Sequence, residues 1–233
     1  MLQKAGPPQA GNDGTLMQFK ASGNEGGAKT MLYSAAIFAL LVLYSWWFAE
    51  QASPVLAICF IAASVGIYAG WAKLAEPLHG IVCDEAGVHY HHKKGSWLLP
   101  WAAFSHCSPQ PDVEQEVNYI AFKVTDMHAF LQHLPLRLAI KLMMEQRALW
   151  FAVLKEKCPQ GQCATEWLAE KDRFSTPEQQ YDGVKAMFAN RMQRFGGFCG
   201  FELFIPVNAI DVTAEEFCKQ VNQLRLQQLS DRP

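Results

Sequence analysis

The hydrophobic pattern of this chain begins with two uncharged apolar runs, residues 30–49 and 54–72, which are separated only by residues 50–53. Each run has about the 20 residues that a helix needs to cross a hydrocarbon core of about 30 Å. Neither run shows the polar face that a surface helix of a soluble protein would carry. Trp46, Trp47 and Trp71 stand at the ends of the runs, where indole rings favour the lipid headgroups. The pattern therefore predicts two antiparallel transmembrane helices within residues 29–73.

The flanking lysines predict the orientation of this hairpin. Lys20 and Lys29 precede the first run and Lys73 follows the second, whereas the tip has no basic residue. Because basic residues stay on the cytoplasmic side, both termini are expected in the cytoplasm. Residues 1–28 are rich in Gly, Ala, Asn and Gln and lack the apolar core of a signal peptide. We expect this leader to be disordered and cytoplasmic.

Residues 74–233 are long enough to form one domain with its own core. The seven cysteines of the chain are scattered, unlike the patterned pairs of exported domains, which favours a cytoplasmic location for this part. The formal net charge of −2 gives no reason to expect a nucleic-acid partner, which would require a strongly basic patch.

The first part of this domain, residues 80–124, has the pattern of short strands. Two apolar stretches flank a turn at residues 84–87, a second polar turn follows at residues 91–96, and Trp97 opens another apolar strand. Residues 117–124 alternate between apolar and polar positions, as a half-buried strand does.

Residues 126–195 have a helical pattern instead. Thr125 or Asp126 can cap a helix over residues 127–134, and Pro135 suits the first turn of a longer helix that ends near Leu154. Leu138, Leu142 and Leu149 form the apolar face of that helix. Thr176 before Pro177 predicts another helix, which ends at Gly196 and Gly197.

The last part of the chain predicts a strand at residues 198–206 and a final helix at residues 214–229. Thr213 and Glu216 have the spacing of a capping box at the start of that helix. The expected fold is thus a membrane-anchored α+β protein, in which a transmembrane hairpin precedes a small antiparallel sheet with a helical insertion and a C-terminal capping helix.

Two stretches carry a resemblance to known proteins. In the patterns that follow, h is an apolar residue and x is any residue. The first stretch resembles "D-x-x-G-h … G-x-h-h-h-P-W" over residues 84–101, and the second resembles "h-I-P-x-x-A-h" with a capped helix over residues 204–217. Both are similar to the bacterial membrane proteins that have a pleckstrin-homology-like domain. The whole layout also resembles an uncharacterised bacterial inner-membrane family labelled as a domain of unknown function. The resemblance implies a multi-pass protein of the bacterial inner membrane. The helical middle is then an insertion into the sheet, or the strands belong to another α+β sheet.

Candidate chemistry is sparse. His89 and His91 lie two apart on a predicted strand, so both imidazoles face the same side, and His106 is a further weak candidate for a metal ligand. A metal site needs three or four converging groups. The motifs HExxH, GxSxG, GxGxxG and the Walker loop are missing from the sequence. We expect a protein without enzymatic activity or cofactor, and the alternative is a metal-dependent enzyme built on His89 and His91.

Lys93 and Lys94 form a basic turn next to Trp97, and such a turn can contact anionic headgroups. The function that the sequence favours is a non-catalytic cytoplasmic module, tethered to the lipid bilayer, that binds a protein partner or lipid headgroups. The partner could also be a second copy of the chain, which would make the protein a homo-oligomer.

Overall fold

The computed structural model describes residues 15–20, 26–48, 54–74, 79–109, 118–158, 169 and 171–230. These residues fall into two compact units, one within residues 21–78 and the other formed by the residues on either side of that segment. The second unit is therefore discontinuous in sequence, and the first is inserted into it.

The inserted unit is a pair of helices, α1 (Gly27–Phe48) and α2 (Pro54–Leu74). Both are long and apolar enough to cross a membrane. Glycines let the two backbones approach closely, because a Cβ atom added at Gly70 would lie 2.7 Å from the backbone nitrogen of Met31. A Cβ atom at Gly66 would lie 2.2 Å from Ser34 Oγ. Small residues at such a contact are typical of packed membrane helices.

Strand β1 (Thr15–Lys20) precedes this helical pair and belongs to the other unit. It pairs antiparallel with β2 (His79–Asp84), which follows the helices. The ring of Phe19 is buried in the core, and the backbone N–H of Lys20 donates to Asp211 Oδ1 at 3.2 Å. The prediction that residues 1–28 are disordered is therefore wrong for β1, because a distant strand completes its hydrogen bonds. Residues 1–14 lie outside the described residues.

The first sheet has the strand order β1-β2-β3-β4 and is antiparallel throughout, with β3 (Gly87–His92) and β4 (Gly95–Pro100). Asp84 Oδ1 accepts hydrogen bonds from the backbone N–H groups of Ala86 and Gly87, which closes the predicted turn. Glycine is required at position 87 because a Cβ atom there would lie 2.1 Å from the carbonyl oxygen of Leu99.

The second sheet has the order β5-β6-β9 and is also antiparallel, with β5 (Phe104–Ser108), β6 (Tyr119–Val124) and β9 (Leu203–Pro206). The last helix, α7 (Ala214–Ser230), packs against β5. Its capping residue is the predicted one, because Thr213 Oγ1 accepts from the N–H of Glu216 at 3.3 Å. The core between these elements is strongly aromatic and includes Trp97, Trp101, Phe104, Phe122 and Phe217.

The described residues between β6 and β9 form four helices and a small hairpin. The helices are α3 (Met127–Gln132), α4 (Leu136–Glu145), α5 (Arg147–Lys157) and α6 (Val184–Cys199), and β7 (Arg173–Ser175) pairs with β8 (Gln180–Asp182). The single helix predicted from Pro135 to Leu154 is interrupted at Gln146, whose buried side-chain amide donates to the carbonyl oxygen of Phe204 at 2.8 Å. Its predicted apolar face is confirmed, since Leu138, Leu142 and Leu149 are fully buried.

Three predicted boundaries of helices and strands are wrong. Thr176 does not begin a helix, because its hydroxyl and backbone bond with Gln179 to form the turn between β7 and β8. Helix α6 continues through Gly196 to Cys199 and is capped by Gly200, whose φ of +76° suits a glycine. Gly196 instead makes room for a carboxylate, since a Cβ atom there would lie 2.6 Å from Glu202 Oε1. The strand predicted for residues 198–206 is consequently shortened to β9.

Candidate functional site

The three histidines considered as metal ligands do not form a common site. His89 and His91 share one face of β3, as predicted, with stacked rings whose centroids are 6.2 Å apart. His89 Nε2 lies 2.8 Å from Asp84 Oδ2, so this imidazole has a carboxylate partner. His106 lies in the other sheet, where its ring packs against Phe201. The part of the chain that the structure describes holds no group of three or more His, Cys, Asp or Glu side chains placed to bind a metal.

The three residues predicted to contact lipid headgroups do not lie together. Lys93 and Lys94 are exposed at the turn between β3 and β4. Trp97 is only 1% exposed and packs in the core against Tyr90 and Phe130, with ring centroids 5.5 and 5.4 Å away. Its assignment as a headgroup contact is wrong, because its position opposite Tyr90 in the sheet places it on the inner face.

A feature missing from the sequence prediction lies on the helical side of the domain. Residues of helices α4, α5 and α6 line an open surface hollow of about 380 Å³, which we call the α4–α6 groove. Its walls are apolar, and Trp150 is buried between them. The groove is lined by Ile140, Met143, Met144, Arg147, Trp150, Phe151, Val184, Met187 and Arg191.

Large apolar side chains on this side of α4 are exposed to solvent. Leu136, Ile140 and Met144 are spaced four residues apart, so they form one row along the helix, and Met144 is 69% exposed. The opposite face of α4 is buried through Leu138 and Leu142. Helix α4 therefore has two apolar faces, one in the core and one beside the groove. The sequence indicates this second face, because α4 has more apolar residues than one buried face requires.

The charge along the groove is positive. Arg191 donates from Nη1 to the carbonyl oxygen of Met143 at 2.7 Å, and its guanidinium lies 5.9 Å from the ring centre of Trp150. The guanidinium of Arg147 lies 5.4 Å from the ring centre of Phe151. Burial, together with the charges of Arg194 and Arg147, lowers the pKa of Arg191 to about 10, so it remains a cation at neutral pH. None of the nine lining residues carries a carboxylate.

A second, more polar cleft of about 550 Å³ lies between the start of α4 and the β7–β8 hairpin. The hydroxyl of Tyr181 is 2.9 Å from His128 Nδ1, and Lys185 donates from Nζ to the carbonyl oxygen of Leu131 at 2.8 Å. Burial, with the charges of Asp126 and Glu178, raises the pKa of Tyr181. These polar groups bond to one another and to the backbone, so they fasten the hairpin and α6 to α3.

Comparison with known families matches residues 81–227 to the family described as "Protein of unknown function (DUF2982)". The match covers well over half of the chain. The chain belongs to this family. No curated protein and no solved structure matches it. The expectation of an uncharacterised family is thereby confirmed.

The family region contains both sheets apart from β1 and the start of β2, and it contains the whole α4–α6 groove. The helical pair α1–α2 precedes it. The groove is thus part of the DUF2982 domain itself, whereas the helical pair lies outside the matched segment.

Proposed function

We propose that this protein is a membrane-anchored, non-catalytic module that binds a protein partner through the α4–α6 groove. The observation that carries the proposal is the exposed, concave and apolar surface along α4, lined by three methionines. Extended apolar patches on a protein surface often mark interaction sites. Unbranched methionine side chains adapt to differently shaped partners, as a binding groove requires.

The anchor in this proposal is the helical pair α1–α2, crossing the membrane as a hairpin. Few residues of either helix are buried, whereas the core helix of a soluble protein would be mostly buried. Strand β1 precedes the hairpin and pairs with β2 after it, so the chain enters and leaves the hairpin from one folded domain. Together with Lys20, Lys29 and Lys73, this connectivity supports a domain on the cytoplasmic side. The resemblance noted above favours the bacterial inner membrane.

We also propose that the domain is pleckstrin-homology-like. The four-stranded and three-stranded antiparallel sheets, with a C-terminal helix packed on β5, support this assignment. The helices between β6 and β9 are then an insertion into such a domain, and the insertion carries the groove.

A protein partner is favoured over lipid headgroups at the turn of Lys93 and Lys94. Trp97, which was expected to contact headgroups beside that turn, is buried in the core instead. The hollow between α4 and α6, in contrast, is concave, and a flat bilayer surface does not fill a concave hollow.

The test is quantitative affinity purification of the full-length protein from native membranes in mild detergent. Wild type is compared with an Ile140→Glu/Met144→Glu variant and with Gln223→Glu, which changes an exposed residue on α7 as a matched control. We expect a stoichiometric protein that the groove variant loses and the control retains. Equal recovery of every co-purifying protein with all three chains would contradict the proposal.

A further inference from the structure

We propose that the partner segment in the α4–α6 groove is an acidic amphipathic helix, whose apolar side chains enter the groove and whose carboxylate pairs with Arg147. This inference rests on the proposed function and specifies the ligand of the same site. The juxtaposition behind it is an apolar hollow whose lining, among the described residues, includes Arg147 and Arg191 and no acidic side chain.

The shape of the groove suits a helix. The exposed row Leu136, Ile140 and Met144 spans two turns of α4, or about 12 Å at 1.5 Å per residue. Helices pack by placing a ridge of side chains into the groove beside such a row. A partner helix with apolar residues at i, i+3, i+4 and i+7 presents a ridge of that length.

The positive charge of the groove favours acidic residues on the polar side of the partner helix. Arg147 is exposed at the start of α5, with its guanidinium held against the ring of Phe151. The carboxylate of the neighbouring Glu145 pairs with Lys141, whose Nζ lies 3.0 Å away. Arg147 and Arg191 both line the hollow, and Arg147 is one of the charges that lower the pKa of Arg191. A carboxylate at the edge offsets this positive charge and forms a charge-assisted hydrogen bond with the guanidinium of Arg147.

The experiment uses the full-length protein in nanodiscs of zwitterionic lipid and a displayed library of helix-forming peptides. Apolar residues are fixed at i, i+3, i+4 and i+7, and the flanking positions vary among Glu, Gln and Lys. We expect selection for Glu. The selected peptide should bind Arg147→Glu on the order of tenfold more weakly than wild type, and Arg147→Gln should lie between them.

Arg137→Glu is the matched control, because Arg137 is exposed on the adjacent helix α4 but is not among the residues that line the groove. Its affinity for the selected peptide should equal that of the wild type. Thermal unfolding of each variant establishes that the domain is folded before binding is compared.

The other outcomes separate the two proposals. Peptides without acid enrichment that bind wild type and Arg147→Glu equally, but lose affinity for Met144→Glu, would overturn the acidic ligand and leave the groove as a binding site. Peptides that bind Met144→Glu as well as wild type would overturn both. In another outcome, the selection yields no binding peptide while vesicles containing phosphatidylglycerol bind the wild type and not Arg147→Glu. That result would overturn both proposals and indicate that the groove contacts the membrane surface. A failed selection without such vesicle binding would contradict both proposals.

Discussion

The rings of Phe19 and Phe217 pack edge to face, with centroids 4.7 Å apart. Phe19 lies in β1, before the helical pair, and Phe217 lies in the last helix of the chain. The first and last described elements therefore meet in one core. It follows that the α+β domain is incomplete without the residues that precede the hairpin.

Replacing Phe19 with alanine should destabilise the domain. Phe19 is 2% exposed, and deleting a buried phenylalanine ring costs about 3–5 kcal/mol in unfolding free energy. Leu16→Ala on the same strand is the control, because that side chain is 36% exposed and its loss should cost well under half as much. Pulse proteolysis of the full-length protein across a urea series measures both. Equal midpoints for Phe19→Ala and wild type would show that β1 is not part of the core.

Gly70→Ala should weaken packing within the helical pair. The new methyl group would lie 2.7 Å from the backbone nitrogen of Met31, which cannot move without shifting α1. Overpacking of this kind costs about 1–3 kcal/mol. Ala69→Leu enlarges an exposed neighbour and should leave the stability unchanged. Thermal unfolding in detergent, followed through tryptophan fluorescence, compares the two, and a Gly70→Ala transition equal to wild type would contradict the close approach.

Glu202→Ala should destabilise the second sheet. The buried carboxylate accepts from the backbone N–H of Val124 at 2.8 Å and from the Nζ of Lys123 at 2.7 Å. An unpaired buried N–H group costs about 1–3 kcal/mol. The lysine contributes less, because its side chain is 32% exposed and water screens its charge.

Glu202→Gln is the informative comparison for this site. The amide oxygen of glutamine can still accept from Val124, so this variant should recover most of the stability lost in Glu202→Ala. Urea midpoints measure the difference. Identical losses in the two variants would mean that the charge, rather than the hydrogen bond, stabilises the sheet.

Alkaline pH should destabilise the fold in part through Cys83. Burial, with a smaller effect of the Asp84 charge, raises the pKa of this thiol to about 12. Between the ordinary cysteine pKa and about 12, the unfolded chain loses the proton that the folded chain keeps. Stability is therefore complete at neutral pH and declines as the pH rises, by at most about 1.4 kcal/mol per pH unit.

The difference between wild type and Cys83→Ala isolates this group from the other titrating residues. Urea midpoints measured at neutral and alkaline pH should fall more steeply for the wild type. Parallel declines in both chains would show that the Cys83 thiol titrates normally in the folded state.

Local signals account for the parts of the fold that were predicted. The helical pair follows from uninterrupted apolar runs, and the turn at Asp84 and Gly87 follows from residues that bond within that turn. Strand β1 could not be predicted in this way, because its partner β2 lies beyond two helices. Thr176 was ambiguous for a related reason: its hydroxyl can cap a helix or close a turn, and the neighbouring β7 and β8 decide which.

The candidate site could not be predicted from the sequence, because it depends on the pairing of strands and the packing of helices that are distant along the chain. Trp97 is assigned to the inner or outer face of the sheet only by its register with Tyr90. The second apolar row on α4 was visible as a four-residue spacing, but the packing of α6 against α4 was needed to show that a groove lies beside it.

Photocrosslinking from position 144 tests the central claim most directly. The full-length protein carries p-benzoylphenylalanine in place of Met144, in the middle of the groove edge, and is irradiated in its native membrane. The same probe at Gln223 on α7 is the control. The account predicts a covalent adduct with one protein from position 144, absent from position 223 and reduced by Arg147→Glu. Adducts with lipid alone, or the same protein adducts from both positions, would contradict it.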